Sequence, residues 1–406
     1  MAIDQFACHR MYSDHKRKGV PSSTQAAESG RVVQPSLTLF ALPAQNGAVD
    51  ADSPPSPPRV RAAAGSSGRA LATNALLAAR FLPVWLATGA LAIVAAIEAP
   101  SAFGNTSWSY VLPYATVLAI AALGQMLVVM HGGIDLSTPG VIALGGNLIA
   151  GICGGSDHRL WLAIPACLGA GVLVGLTNGI FVGIIGLNPL IVTLAVGQIV
   201  LAWSSHYSQV AVTSHPEVPT ALSSWATSKP LGVSAVFWAG LGITIVVALV
   251  LRYSTIGRHF QAVGANPRAA WIAGLRVRTH VVLAYTAAGA LYAIAAVLLA
   301  GVSISIDPAF GSSYLLAPIA AVVIAGAALS GGLASATSTW VAALALTFLT
   351  QMLLIVGLSA AMQFVVFGAA ILGGMVVSGD RIASLLGRWM RPARPVPRAA
   401  AGGHES

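Results

Sequence analysis

The residues of this chain best suited to chemistry are one acid set among glycines and hydroxyls: His131-Gly132-Gly133-Ile134-Asp135-Leu136-Ser137-Thr138-Pro139-Gly140. Asp135 is the only acidic residue between Glu98 and Asp157, and it sits where two apolar stretches meet. A carboxylate close to hydrocarbon is costly, so it normally has a partner or lines a wet cavity. The adjacent glycines permit a tight turn and close approach of backbone. Ser137 and Thr138 are suited to cap the helix that follows. Two readings stay open at this point: a re-entrant hairpin shaping a translocation path, or an interfacial turn with a capping aspartate. The other polar side chains inside apolar stretches are Gln125, Asn147, Asn178, Gln198, Gln351 and Gln363. Each is expected to bond a neighbouring helix, a contact worth ~0.6 kcal/mol. Gly171, Gly175 and Gly179 recur at every fourth position, the spacing of close helix packing.

A second cluster spans 252–278, with five arginines and no acid. Within it Asn266 is a good N-cap, Pro267 suits the first helical position and Gly274 suits the stop. The spacing predicts a helix of about two turns with Arg268, Trp271, Ile272 and Leu275 on one face. So short a helix is not stable alone in water and needs a surface to lie on. That surface is either the bilayer interface, with snorkelling arginines and a headgroup-level tryptophan, or a groove on a partner protein. Enzyme chemistry finds little support. The three lysines, Lys16, Lys18 and Lys229, follow no glycine, so no phosphate loop exists. There is no paired-cysteine or His-Glu-x-x-His metal motif, and Cys8, Cys153 and Cys167 show no motif spacing. His206 and His215 read as solvated surface residues. Neither a catalytic residue, a metal nor a cofactor is expected.

The elements that must position these residues are membrane helices. Charged residues are 8% of the chain against about 25% in ordinary soluble domains, and mean hydropathy is +0.80. A span needs ~20 apolar residues. Ten candidates follow one another at 76–97, 110–130, 134–153, 160–185, 187–206, 231–251, 280–300, 314–331, 335–356 and 360–377. The expected fold is all-α and polytopic, with about ten transmembrane helices, some short or re-entrant. Residues 1–70, with the 53–58 proline tract, read as a disordered polar extension, 71–380 as the membrane domain, and 381–406 as a basic tail. The net charge of +9 gathers before Ala70, in the 252–278 loop and after Asp380, so it marks the cytoplasmic side rather than a nucleic-acid site. Ten crossings place both termini there. Gly132-Gly133 and Gly331-Gly332 form a weak internal echo, 199 residues apart.

The stretch Asn266-Pro267-Arg268-Ala269-Ala270-Trp271-Ile272-Ala273-Gly274 resembles the Glu-Ala-Ala-x-x-x-Gly element of ATP-binding-cassette importer permeases. With Gly132 to Ser137, Thr177-Asn178-Gly179, Leu187-Asn188-Pro189-Leu190-Ile191-Val192-Thr193-Leu194, the 320–326 run and Leu329-Ser330-Gly331-Gly332, it resembles the ribose/xylose/galactose-type sugar permease family over about 110–378. The resemblance implies a bacterial inner-membrane permease subunit of a sugar importer. It would work with a second permease copy or paralogue, a cytoplasmic ATPase that binds the ATP, an extracytoplasmic sugar-binding protein, and membrane lipid. It places coupling to the ATPase at Gly257, Gly264, Asn266, Pro267, Arg268, Ala269, Ala270, Trp271, Ile272 and Gly274. The translocation path would run by Gln125, Gly132, Gly133, Asp135, Ser137, Asn178, Asn188, Pro189 and Thr193. Arg268 stands where the family usually has glutamate, which reverses the charge offered to the ATPase. The alternative is an ATP-independent secondary transporter or channel for a small polar solute, for which Asp135 is the one acidic relay candidate.

Overall fold

A computed structural model describes residues 84–378 apart from 213–216, 304, 308–309 and 358–359, without the side chains of 360, 363, 370 and 374–378. The expected 1–70 extension, the 381–406 tail, the start of the first span, His215 and the Gln363 side chain lie outside the described residues.

The described residues are helical, apart from one isolated antiparallel bridge between Glu217 and Ser305. In chain order they form α1 (Val84–Glu98), α2 (Asn105–Val129), α3 (Thr138–Cys153), α4 (Leu160–Gly179), α5 (Pro189–Tyr207), α6 (Thr220–Thr227), α7 (Ala235–Tyr253), α8 (Thr255–Ala265), α9 (Pro267–Ile272), α10 (Val277–Val302), α11 (Ala317–Ile324), α12 (Ala336–Ile355) and α13 (Ala360–Ser378). Among the described residues six stretches are long and apolar enough to cross a membrane: Asn105–Val129, Asp157–Ile185, Pro189–Val212, Ala235–Tyr253, Val277–Val302 and Ala336–Ile355. Shorter apolar helices cover Val84–Glu98, Thr138–Cys153, Ser312–Ile324 and Phe364–Gly373. The chain is a multi-pass membrane protein.

Local chemistry sets the helix starts. The side chains of Asn188, Ser234, Ser254, Asn266 and Ser335 accept backbone N–H groups at the first turns of α5, α7, α8, α9 and α12. Each satisfies a donor that has no partner within the helix. α2 is buried for most of its length and packs against α10 and α12. The α4 glycines let that helix lie directly on α10. A Cβ at Gly171 would meet the Gly289 carbonyl, at Gly175 the Tyr285 carbonyl, and at Gly179 the Val282 carbonyl 2.8 Å away.

Two expected spans are not continuous helices. The 314–331 stretch is helical only to Ile324, and Gly326, Gly331 and Gly332 carry φ of +90°, +97° and +115°. L-residues avoid that conformation, so this chain segment turns instead of continuing as helix. The 134–153 stretch becomes helical only at Thr138, because residues 131–137 form a hairpin. α4 runs into a π-helical turn, Ile180–Ile185, and stops at Gly186 with φ +85°.

Candidate functional site

The hairpin after α2 gathers residues from four helices. Asp135 is 1% exposed, because α2, α4, α5 and α10 close around it. Its Oδ1 accepts from the Ser137 N–H at 2.9 Å and the Ser137 hydroxyl at 2.6 Å. Asp135 itself therefore caps the turn into α3, where Ser137 was expected to do so; the Ser137 side chain makes no cap bond. Asn178 of α4 donates to Ser137 Oγ at 2.9 Å. Thr193 of α5 accepts from the Leu136 N–H at 3.0 Å and donates to the Pro189 carbonyl at 2.9 Å.

Gln125 of α2 grips the backbone of Asp135. In the amide orientation that suits its neighbours, it donates to the Asp135 carbonyl at 3.0 Å and accepts from the Asp135 N–H at 3.1 Å. It also donates to the Tyr292 hydroxyl of α10 at 3.1 Å. Asp135 Oδ2, Asn178 Oδ1 and the Tyr285 hydroxyl are buried without a partner among the described residues. A Cβ at Gly133 would collide with that hydroxyl, so glycine lets the hairpin lie directly against Tyr285.

Six of the nine expected path residues, Gln125, Gly133, Asp135, Ser137, Asn178 and Thr193, thus form one buried polar cluster. Gly132 faces the other way, toward Ser330, while Asn188 is exposed and Pro189 half-buried at the start of α5. Of the other polar span residues, Asn147 donates to Ser204 Oγ at 2.8 Å, joining α3 to α5. Gln198, expected to bond a neighbouring helix, lies instead on the exposed face of α5.

The two Gly-Gly turns touch. The Gly332 N–H donates to the Met130 carbonyl at 3.0 Å, and a Cβ on Gly331 would lie 3.2 Å from Gly132 N and 3.1 Å from the Gly264 carbonyl. Gly264 of α8 in turn sits on the Met130 carbonyl, and Phe260 of α8 meets the His131 ring edge-on, 4.8 Å between centroids. The weak sequence echo is a contact in space.

α8 and α9 lie at this same end. The Gly257 position presses on the carbonyls of Val250 and Leu251, which holds α8 against the end of α7. Asn266 Oδ1 accepts the Ala269 N–H at 3.0 Å, and Gly274 closes α9 with φ +83°. The short helix is as expected, but Leu275 is half-buried because its N–H closes back on the Ala270 carbonyl. Ala270 is buried. Arg268, Ala269, Trp271 and Ile272 are exposed, Trp271 at 72% and Ile272 at 78%.

At the other end of the bundle a cavity of about 400 Å³ opens among α2, α10, α11, α12 and α13. Its side chains include Tyr110, Tyr114, Phe310, Tyr314, Asp307 and Ser313. A neighbouring cavity of about 310 Å³ shares Tyr110 and Tyr114 and holds Lys229, whose amine donates to Ser109 Oγ at 3.0 Å. None of these residues except Lys229, noted only as a rare lysine, stood out in the sequence. The i, i+4 spacing of Tyr110 and Tyr114 on one face of α2 was the available signal.

The family described as branched-chain amino acid transport system / permease component matches residues 107–378, which takes in every helix from α2 onward. The chain belongs to that family. Among curated relatives, the permease is 30% identical over 229 residues to the ribose import permease protein RbsC of Escherichia coli (strain K12), covering 56% of this chain and 70% of that one. It is 33% identical over 202 residues to the galactofuranose transporter permease protein YtfT of the same strain, covering 47% and 55%. It is 29% identical over 216 residues to the fructose import permease protein FrcC of Rhizobium meliloti, covering 52% and 60%. No solved structure matches the permease. The resemblance to ATP-binding-cassette sugar permeases, read from the glycine-acid hairpin and the Asn266–Gly274 helix, is borne out.

Proposed function

We propose that this permease is the membrane subunit of an ATP-driven importer for a neutral monosaccharide. The observation that carries it is α9, a six-residue helix fixed by its Asn266 cap and presenting Trp271 and Ile272 to its surroundings. It lies at the end of the bundle that bears five arginines and no acid between 252 and 278. Large apolar side chains on a rigid, capped helix are the anchors a helix-in-groove contact uses. The partner is a cytoplasmic ATPase, which supplies the ATP site; this chain needs no cofactor of its own.

On this reading the arginine end faces the cytoplasm of a bacterial inner membrane. The chain crosses ten times, with α1, α3, the broken 314–331 segment and α13 completing the six long spans, and both termini lie inside. A second permease, identical or paralogous, and an extracytoplasmic sugar-binding protein complete the importer. The substrate class follows from the sugars for which the relatives are named.

Proteoliposomes test the reading. With the ATPase and binding protein present, labelled D-ribose, D-fructose or L-arabinose should accumulate only when ATP is supplied. The chain alone should accumulate none, with or without a pH gradient. Accumulation driven by a pH gradient alone would make it a secondary carrier and overturn the proposal.

A further inference from the structure

We propose that the cavity at the end remote from the arginines is a binding vestibule for a neutral monosaccharide, an inference that rests on the importer reading. Its volume of about 400 Å³ falls within the range of small-molecule sites, ~300–1,000 Å³. Its chemistry has two parts. Phe310 and Tyr314 are buried beside Tyr114, which is half-buried, so the floor is aromatic. Asp307 and Ser313 are exposed at the mouth and polar.

A pyranose or furanose ring has the same division. Its C–H face is apolar and weakly positive, which suits the electron-rich face of an aromatic ring. Its rim of hydroxyls needs acceptors and donors, which a carboxylate, a serine and phenols supply. The charge of the lining selects further. Among the described lining residues Asp307 is the only acid and none is basic, so sugar phosphates and sugar acids are disfavoured. An acyl chain would bury the same floor but would have no use for the carboxylate and serine at the mouth.

The floor of the vestibule also touches the transport machinery. Phe310 packs where any side chain at Gly146 of α3 would stand, and Gly311 lies against the Pro139 carbonyl, where a Cβ would be 3.0 Å away. A sugar seated here rests on Phe310 and Gly311, and these pack against Gly146 and Pro139 of α3, the helix that follows the Asp135 hairpin. Tyr110 and Tyr114, stacked at 4.4 Å between ring centroids, form the wall toward the cavity that holds Lys229.

The test uses the full chain with a Ser313→Cys substitution and Cys8→Ser; Cys153 and Cys167 are buried. In lipid nanodiscs a charged maleimide should label this cysteine, and whichever of D-ribose, D-fructose or L-arabinose the assembled importer takes up should slow labelling about tenfold when saturating. Galacturonate should not slow it. In transport, Tyr114→Leu should lower uptake about tenfold while Tyr114→Phe, which keeps the ring, retains it. Both variants should reach the membrane in wild-type amounts, and Tyr114→Phe guards against a simple loss of folding. If a sugar is imported but gives no protection, and Tyr114→Leu transports normally, the vestibule is wrong and the importer reading stands. Labelling that is blocked in nanodiscs without sugar yet complete in detergent shows an acyl chain in the cavity and also overturns the vestibule. If no sugar is imported and none protects, both fall.

Discussion

Gln125 holds the backbone of Asp135 rather than its carboxylate, and this decides how the hairpin is built. Its amide satisfies both the N–H and the carbonyl of Asp135, while the carboxylate of Asp135 holds the next turn through Ser137. A buried peptide group left unpaired loses about 1–3 kcal/mol. Gln125→Leu keeps the volume and strands both groups, so it should lower thermal stability in detergent by an amount of that order; an unchanged melting temperature would show that the grip is not needed. Asp135→Ala releases the Ser137 N–H and hydroxyl together and should abolish most uptake, whereas normal uptake would reduce the hairpin to a passive connection. The sequence picked out Asp135, Gln125 and Asn178 as polar residues out of place. It did not show that they meet, because the contacts join positions far apart in the chain (Asn178 to Ser137, Thr193 to Leu136), and no local period records such pairings.

At the scale of elements, legibility followed local chemistry. The cap, proline and glycine stop of α9 are all short-range signals, and each appears in the structure as read. The 314–331 stretch departs from the expectation because glycine conformation there overruled apolarity. α9 makes a direct prediction. Trp271→Glu and Ile272→Glu remove apolar anchors from the exposed face of α9 and leave its buried Ala270 in place. They should leave insertion and abundance unchanged and sharply reduce ATP-driven uptake, measured beside co-purification of the ATPase; normal uptake would end the docking role. α6 depends on another terminal contact. The Ala221 N–H and Thr220 hydroxyl donate to Asp157 at 2.8 and 2.7 Å, and they tie the start of α6 to the turn before α4. At neutral pH, Asp157→Ala should therefore speed amide exchange in α6, with no such change in α9. Equal exchange in wild type and variant would show that the clamp is not formed.

Across the whole molecule, one line of direct contacts joins the exposed helix to the proposed vestibule. α9 continues from α8; Gly264 of α8 sits on the Met130 carbonyl, and Gly331 and Gly332 close on the same point. From Met130 the chain enters the Asp135 hairpin, then α3, whose Pro139 and Gly146 meet Gly311 and Phe310. Packed interiors transmit displacement because they have few voids to absorb it. The glycines make the junction close enough to act as a rigid link, and that is where the idea can be tested. Gly264→Val would place a branched side chain on the Met130 carbonyl and force α8 off the hairpin, at about 1–3 kcal/mol of strain. α9, with its own cap and exposed anchors, would still dock. The expected result is an assembled importer that hydrolyses ATP but moves little sugar, so the ratio of uptake to hydrolysis falls. Gly242→Ala on α7, where a Cβ meets nothing within 4 Å, is the matched control and should keep the wild-type ratio. If Gly264→Val lost hydrolysis and uptake in parallel, with the ATPase no longer bound, α8 would be part of the docking surface. If both activities were unchanged, motion would have to reach the vestibule by another route, and the three-glycine junction would be packing alone.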